Sequence, residues 1–186
     1  GGVHAELAHA GFIDPQDLPR FAALGATADL SPVLWFPSPI IDSVQGALGE
    51  RGARYWPVRS LLDADAPVIA GSDWPSAAVS ANPWLGIEAL VTRADPLGRQ
   101  PGALWPEQAI GLEEALRIYT ANGAEALGLA SETGTLREGK RADLIVLERN
   151  LFEIPHADID RTRVLQTWFG GELVFEQEAA GDTPPP

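Results

Sequence analysis

The sequence contains no cysteine and no methionine. Without cysteine there can be no disulfide and no thiolate metal site, and a cytoplasmic location is the expectation. The missing Met, with Gly1-Gly2-Val3 running almost at once into a strand-like stretch, leads us to expect a piece of a longer chain. Basic residues are scarce: 13 Lys and Arg stand against 26 Asp and Glu, for a formal net charge of −13. A phosphate-binding face needs clustered cations, so no nucleic-acid partner is expected. An anionic membrane surface would repel the chain for the same reason. No apolar run approaches the ~20 residues of a spanning helix, and no signal-peptide pattern is visible at the start. Histidine is limited to His4, His9 and His156.

What is present is enough for a core. Hydrophobic residues make up 45% of the 186 positions, well above the composition of a disordered chain. Residues 3 to 9 read as a short buried strand. Asp14-Pro15-Gln16-Asp17-Leu18 then has the chemistry of a helix start, Asp at the cap and Pro just inside. The helix over Leu18 to Leu24 meets a C-cap at Gly25. Ala26 to Leu30 is a second strand candidate, and Val68 to Gly71 a third. Between them, Pro32, Pro37 and Pro39 with Trp35 and Phe36 make a rigid aromatic loop. Helical spacing returns over 41–48, 56–64 and 86–93, and most clearly from Leu112 to Leu127.

After residue 128 the period changes. Gly134-Thr135-Leu136 and Ala142 to Leu147 read as short strands joined by the turn Glu138-Gly139-Lys140-Arg141. Gly170-Gly171 between two apolar runs is a hairpin signal. The tail from residue 178 is Pro-rich and is expected to be disordered. Strands alternating with helices imply a parallel sheet with crossover helices. The expected domains are 1–128 for that α/β part, 129–177 for a small β unit, and 178–186 for the tail.

Two ionisable residues stand where strands should end. His9 follows the first strand, and Asp73, in Gly71-Ser72-Asp73-Trp74-Pro75, follows the third. Ligands of parallel α/β folds bind at the carboxyl ends of the strands. Imidazole and carboxylate are good ligands for zinc or a similar divalent metal, and a carboxylate there can relay a water's proton to a leaving group. From spacing alone the alternatives stay open: a core histidine bonded to a carbonyl, and an Asp bonding its own turn. His4, five residues before His9, points to the opposite strand face. Ser72 has no neighbouring base, which argues against a serine nucleophile.

Taken together, Leu7-Ala8-His9-Ala10, the stretch Asp14 to Phe21, Gly71-Ser72-Asp73-Trp74-Pro75, and Gly134-Thr135-Leu136 through Ala142-Asp143-Leu144-Ile145-Val146-Leu147 resemble the amidohydrolase superfamily. The nearest branch is the amidohydrolase family 3 group that includes the N-substituted formamide deformylases. The resemblance implies a partial (β/α)8 TIM barrel, about its last three β/α units, followed by a segment of a β-sandwich. It implies that His9 binds metal as the histidine ending the sixth strand. It implies that Asp73, ending the eighth, binds metal and acts as general base. The cofactor implied is a divalent metal, zinc, one or two ions in the parent enzyme. The His-x-His pair of the family's first strand is absent, so this chain resembles the C-terminal portion, with the remaining ligands expected upstream. Trp35, Phe36, Trp74 and Trp84 are expected to wall an apolar substrate pocket. The activity implied is hydrolysis of C–N bonds in small N-substituted amides or formamides. A deaminase, a cyclic amidase, or an inactive self-associating module are the alternatives. The expected partners are a small-molecule amide and a second copy of the chain, as a homo-oligomer or domain-swapped dimer.

Overall fold

The computed structural model describes residues 5–76, 78 and 80–178. His4, with the first residues of the expected first strand, and residues 179–186 of the expected tail lie outside them. Three short strands, β1 (Glu6–Ala8), β2 (Thr27–Leu30) and β3 (Val68–Ala70), form a parallel sheet in the order β1-β2-β3. Helix α1 (Leu18–Leu24) links the first two; α2 (Pro39–Leu48) and α3 (Val58–Asp63) link the second and third. Helices α4 (Pro83–Thr92), α5 (Leu112–Tyr119) and α6 (Ala121–Ala126) follow. An antiparallel sheet of β4 (Leu144–Leu147), β5 (Val164–Phe169) and β6 (Glu172–Glu176) ends the described chain.

Local chemistry accounts for three helix ends. Gly25 adopts φ 62° and its N–H returns to Ala22 O and Phe21 O, closing α1. Helix α1 has the expected bounds, but the residue at its N-cap is Asp17, not Asp14: Asp14 instead accepts from Gln16 N at 2.9 Å, in a local turn ahead of the helix. Ser38 caps α2 by accepting from Ile41 N, and Asn82 caps α4 by accepting from Trp84 N, each followed by Pro at the first helical position.

The long helix expected over 112–127 is two helices. Thr120 (φ −130°, ψ −85°) breaks it. Its hydroxyl donates to Leu116 O at 2.7 Å, competing with the backbone ladder. The next turn is then free to dock elsewhere: Asn122 Nδ2 donates to Val68 O at 2.9 Å, pinning α6 to β3. The strand expected at 134–136 is also absent. Lys140 Nζ gathers Ala130 O (2.5 Å), Thr133 O (3.3 Å) and Thr135 Oγ1 (2.6 Å), and acceptors curled around one ammonium cannot lie extended. The Gly170-Gly171 hairpin forms with both glycines at positive φ, 59° and 85°.

The core lies against one face of the parallel sheet. Register pairs Ala28 with Val68 and Leu30 with Ala70, and Ala28, Leu30 and Val68 are almost wholly buried with Leu61 and Leu90. The opposite face carries Glu6, Ala8, Thr27, Asp29 and Ile69, because side chains alternate along a strand. Helix α4 is buried from Trp84 to Val91 and packs on α5 and on the 3-10 segment His156–Arg161. No helix among the described residues is long and apolar enough to cross a membrane.

Candidate active site

The parallel register sets the site. Ala8 is level with Asp29, and Leu30 with Ala70. The residues just past these pairs, His9, Ser31 and the Gly71–Asp73 turn, therefore emerge at one edge, the carboxyl ends of the strands. His9 and Asp73 both leave their strands in the left-handed region, at φ 63° and 54°. That region is uncommon for residues with a side chain and marks a backbone held by its surroundings. His9 Nδ1 lies 3.1 Å from Ser31 Oγ. Asp73 O accepts from Ser76 N at 2.8 Å, closing a turn through Trp74 and Pro75.

A third ionisable group joins them. Asp29 sits on the face of β2 opposite Ala28 and Leu30, partly buried. Its pKa is raised, first by burial and then by the Glu6 carboxylate, while His9 pulls it down and Asp73 pushes it up. Asp29 thus lies within electrostatic reach of both predicted site residues. Burial and two carboxylate neighbours disfavour its charged form; the imidazole favours it.

The backbone behind His9 rests on an aromatic stack. Trp56 Nε1 donates to His9 O at 3.1 Å, and Trp56 N donates to Gly11 O at 2.8 Å. Phe12 stacks on Tyr55 (4.2 Å between centroids), Tyr55 on Trp56 (3.4 Å), and Trp56 on Trp35 (5.5 Å). Below Trp35 lies Arg93, fully buried, its guanidinium 5.0 Å from the indole centroid. Arg93 donates to Leu104 O and Tyr55 O. Desolvation lowers its pKa to about 10, still charged at neutral pH. A Cβ on Gly11 would come within 2.6 Å of the Tyr55 ring, so only glycine lets this loop approach the stack.

Beside the stack is a cavity of about 390 Å³, whose walls include Phe36, Tyr55 and Trp56. Of the four aromatics expected to wall a pocket, only Phe36 lines it. Trp35 is a core residue with no exposed surface, because stacking on Trp56 and Arg93 turns it inward. Trp84 is not in a loop: Asn82 and Pro83 start α4 before it, and it is buried in the helix. Trp74 is 58% exposed on its turn.

Zinc needs four ligands in a structural site and usually three from protein in a catalytic one. Among the described residues, no group of three His, Cys, Asp or Glu side chains is placed to hold a metal ion. His9 and Asp73 therefore do not form a complete cage by themselves. Asp29, Ser31 and Trp56 escaped sequence reasoning. The available signal was a lone carboxylate within Thr27-Ala28-Asp29-Leu30, on the face opposite Ala28 and Leu30; Trp56, 47 positions from His9, left none.

The family model described as "Amidohydrolase family" matches residues 1–175. An N-substituted formamide deformylase of Arthrobacter pascens is 31% identical over 173 residues, covering 92% of this chain and 31% of that protein. A 5-methylthioadenosine/S-adenosylhomocysteine deaminase of Moorella thermoacetica is 35% identical over 109 residues, covering 58% of this chain and 24% of that protein. Among solved structures, an adenosine deaminase from Xanthomonas campestris with bound zinc aligns with a TM-score of 0.66 at 16% identity. That alignment covers 96% of this chain and 38% of the deaminase, and at this identity it speaks for the fold. The chain spans about a third of the length of the curated relatives it matches first. With the family model matched over all but the last eleven residues, the chain belongs to the amidohydrolase family.

Proposed function

We propose that the protein is part of a metal-dependent hydrolase that cleaves C–N bonds in small N-substituted amides or formamides. The observation that carries this reading is the emergence of His9 and Asp73 at one edge of the parallel sheet, in a chain of this family. In this reading β1, β2 and β3 are the sixth to eighth strands of a (β/α)8 barrel, and residues 129–177 are part of a β-sandwich. His9 and Asp73 are two donors to a divalent metal, zinc, whose other ligands come from chain that the longer relatives have and this one does not span. Ser31 fixes the His9 ring through Nδ1, leaving Nε2 free to face a ligand. Asp73 takes the proton of the attacking water and delivers it to the leaving nitrogen, the task of a carboxylate beside a reacting C–N bond. Asp29 lies in the electrostatic field of both groups.

Metal titration tests this. The chelator-stripped chain should take up zinc with a rise in melting temperature, and Asp73→Asn should abolish the rise. Zinc binding equal in Asp73→Asn would remove Asp73 from the ligand set; no binding by either chain would mean that two donors alone do not hold the ion and that the titration belongs on a longer chain. A second reading, deamination, is favoured by the likeness to the Moorella deaminase. Ammonium release from an amino-heterocycle, with no cleavage of N-substituted amides, would select it. We further propose that the chain self-associates as a homo-oligomer. Leu173, Val174 and Phe175 of β6 are each more than two-fifths exposed, and an apolar edge strand invites pairing.

A further inference from the structure

The cavity beside the aromatic stack has a composition that selects its occupant. Its wall is mostly apolar and includes Leu34, Phe36, Ile41, Tyr55, Trp56 and Leu85. Its volume of about 390 Å³ lies in the range of small-molecule pockets. The charged groups on the wall, Asp95 and Arg99, cancel each other. The Asp95 side chain has no surface open to solvent. It accepts from the N–H groups of Leu97, Arg99 and Gln100 and from Arg99 Nε and Nη2. Those bonds hold the Asp95 pKa below the usual carboxylate range against the effect of burial. Arg99 in turn lies over the Phe36 ring at 5.7 Å. Ser38 and Ser80, also on the wall, accept from backbone N–H groups of Ile41 and Asn82. Burying a charge without a partner costs far more than burying apolar surface, so this wall accepts an uncharged group and rejects an ion.

The cavity is also tied to the candidate site. Trp56 is on its wall and donates to His9 O, and the wall includes Ala78 from the loop that follows Asp73. We propose that this cavity receives the apolar, uncharged substituent of the substrate, so that the protein takes amides carrying an alkyl or aryl group and excludes those carrying a carboxylate or ammonium at that end. The assignment of the occupant as a substrate group rests on the hydrolase reading above.

Binding to the 186-residue chain tests the pocket without relying on turnover. The probes are N-propylformamide, N-hexylformamide and N-(5-carboxypentyl)formamide, followed by ligand-detected NMR. Each added methylene should tighten binding about fourfold, the factor that about 0.8 kcal/mol per buried CH2 gives. The carboxylate probe should bind at least about tenfold more weakly than the hexyl probe. Leu34→Trp, which fills the cavity, should erase the preference for hexyl over propyl. Leu97→Trp, at a residue 44% exposed on the same wall, keeps the test valid if Leu34→Trp fails to fold, and should weaken hexyl binding in the same direction. Equal affinity for the hexyl and carboxypentyl probes, or hexyl binding untouched by the folded tryptophan variants, would overturn the assignment. Hydrolysis is scored separately, with added zinc, on a longer chain that carries the remaining metal ligands the hydrolase reading requires. Hexyl binding at the cavity without cleavage of any amide sinks the hydrolase reading and leaves the apolar site standing. Cleavage indifferent to the substituent sinks the pocket and leaves the hydrolase.

Discussion

Each half of the molecule is built on three strands, yet the two sheets are stabilised differently. In the parallel sheet, one face is covered: Ala28, Leu30 and Val68 are at most 1% exposed beneath the helices. In the antiparallel sheet, no residue of β4, β5 or β6 is buried, and Ile145, Val146, Phe169, Val174 and Phe175 are exposed. The second sheet depends instead on its hairpin, on Gly170 N donating to Asp143 Oδ1 at 2.7 Å, and on Arg163 and Arg149 paired with Glu148. A β-strand gains little from its own ladder without a packed face. The comparison teaches where the site belongs. The covered sheet is rigid enough to hold His9 and Asp73 in left-handed backbone at its edge, whereas the bare sheet is a surface.

The comparison can be broken by mutation. Leu30→Ala in the covered sheet should cost about 4 kcal/mol in chemical denaturation, as large-to-small changes at fully buried sites do. A cost below about 1 kcal/mol would mean that the sheet is not the core. Next is the joint between the halves. Glu88, buried in α4, accepts from Asp160 N at 2.8 Å. Burial raises its pKa to about 7; Asp160 and Asp158 also push it up, while the Asp160 N–H and Arg161 pull it down. A carboxyl whose folded pKa exceeds its unfolded value binds more protons when folded. Its stabilisation is complete below about pH 4.5 and is lost as pH rises through about 7. Melting at pH 8 should therefore show a loss of about 3 kcal/mol from this group relative to pH 4.5. Glu88→Gln should flatten that part of the profile; an unchanged profile would remove the group as its cause.

Smaller effects sharpen the same contrast. A Cβ at Gly86 would fall 1.8 Å from Tyr119 Oη. Gly86→Ala should destabilise the α4–α5 contact by about 2 kcal/mol, since an added carbon in a packed site forces neighbours apart. Tyr119→Phe should relieve part of this, which a double-mutant cycle measures. Smallest of all, Val174→Lys on the bare sheet should change stability by less than about 0.5 kcal/mol. It should lower the mass seen by light scattering if β6 carries the self-association.

Much of this was legible before folding. The strands at 27–30 and 68–70, the Gly25 cap, and the Gly170-Gly171 hairpin follow from local chemistry, which needs only a few adjacent residues. The helix over 112–127 and the strand over 134–136 were misread for a common reason. Thr120 and Lys140 make hydrogen bonds that override the apolar period, and a period count does not see side-chain bonds. Trp35 and Trp84 were misread because exposure is not a property of a residue type. Trp35 turns inward on Trp56 and Arg93, 21 and 58 positions away in the sequence, while Phe36 beside it faces the cavity.

By itself the sequence determined the alternation of strands and helices, the Gly170-Gly171 hairpin, and the placing of His9 and Asp73 just past strand ends. These rest on periodicity and turn chemistry, which act over a few residues. Only the tertiary structure decided that Asp29 shares a field with both residues, that Ser31 holds the His9 ring, and that Trp56 joins the His9 backbone to a neutral cavity. Those contacts depend on strand register and on side chains packed across long stretches of chain, and both come into being only when the sheet and its helices close on one core.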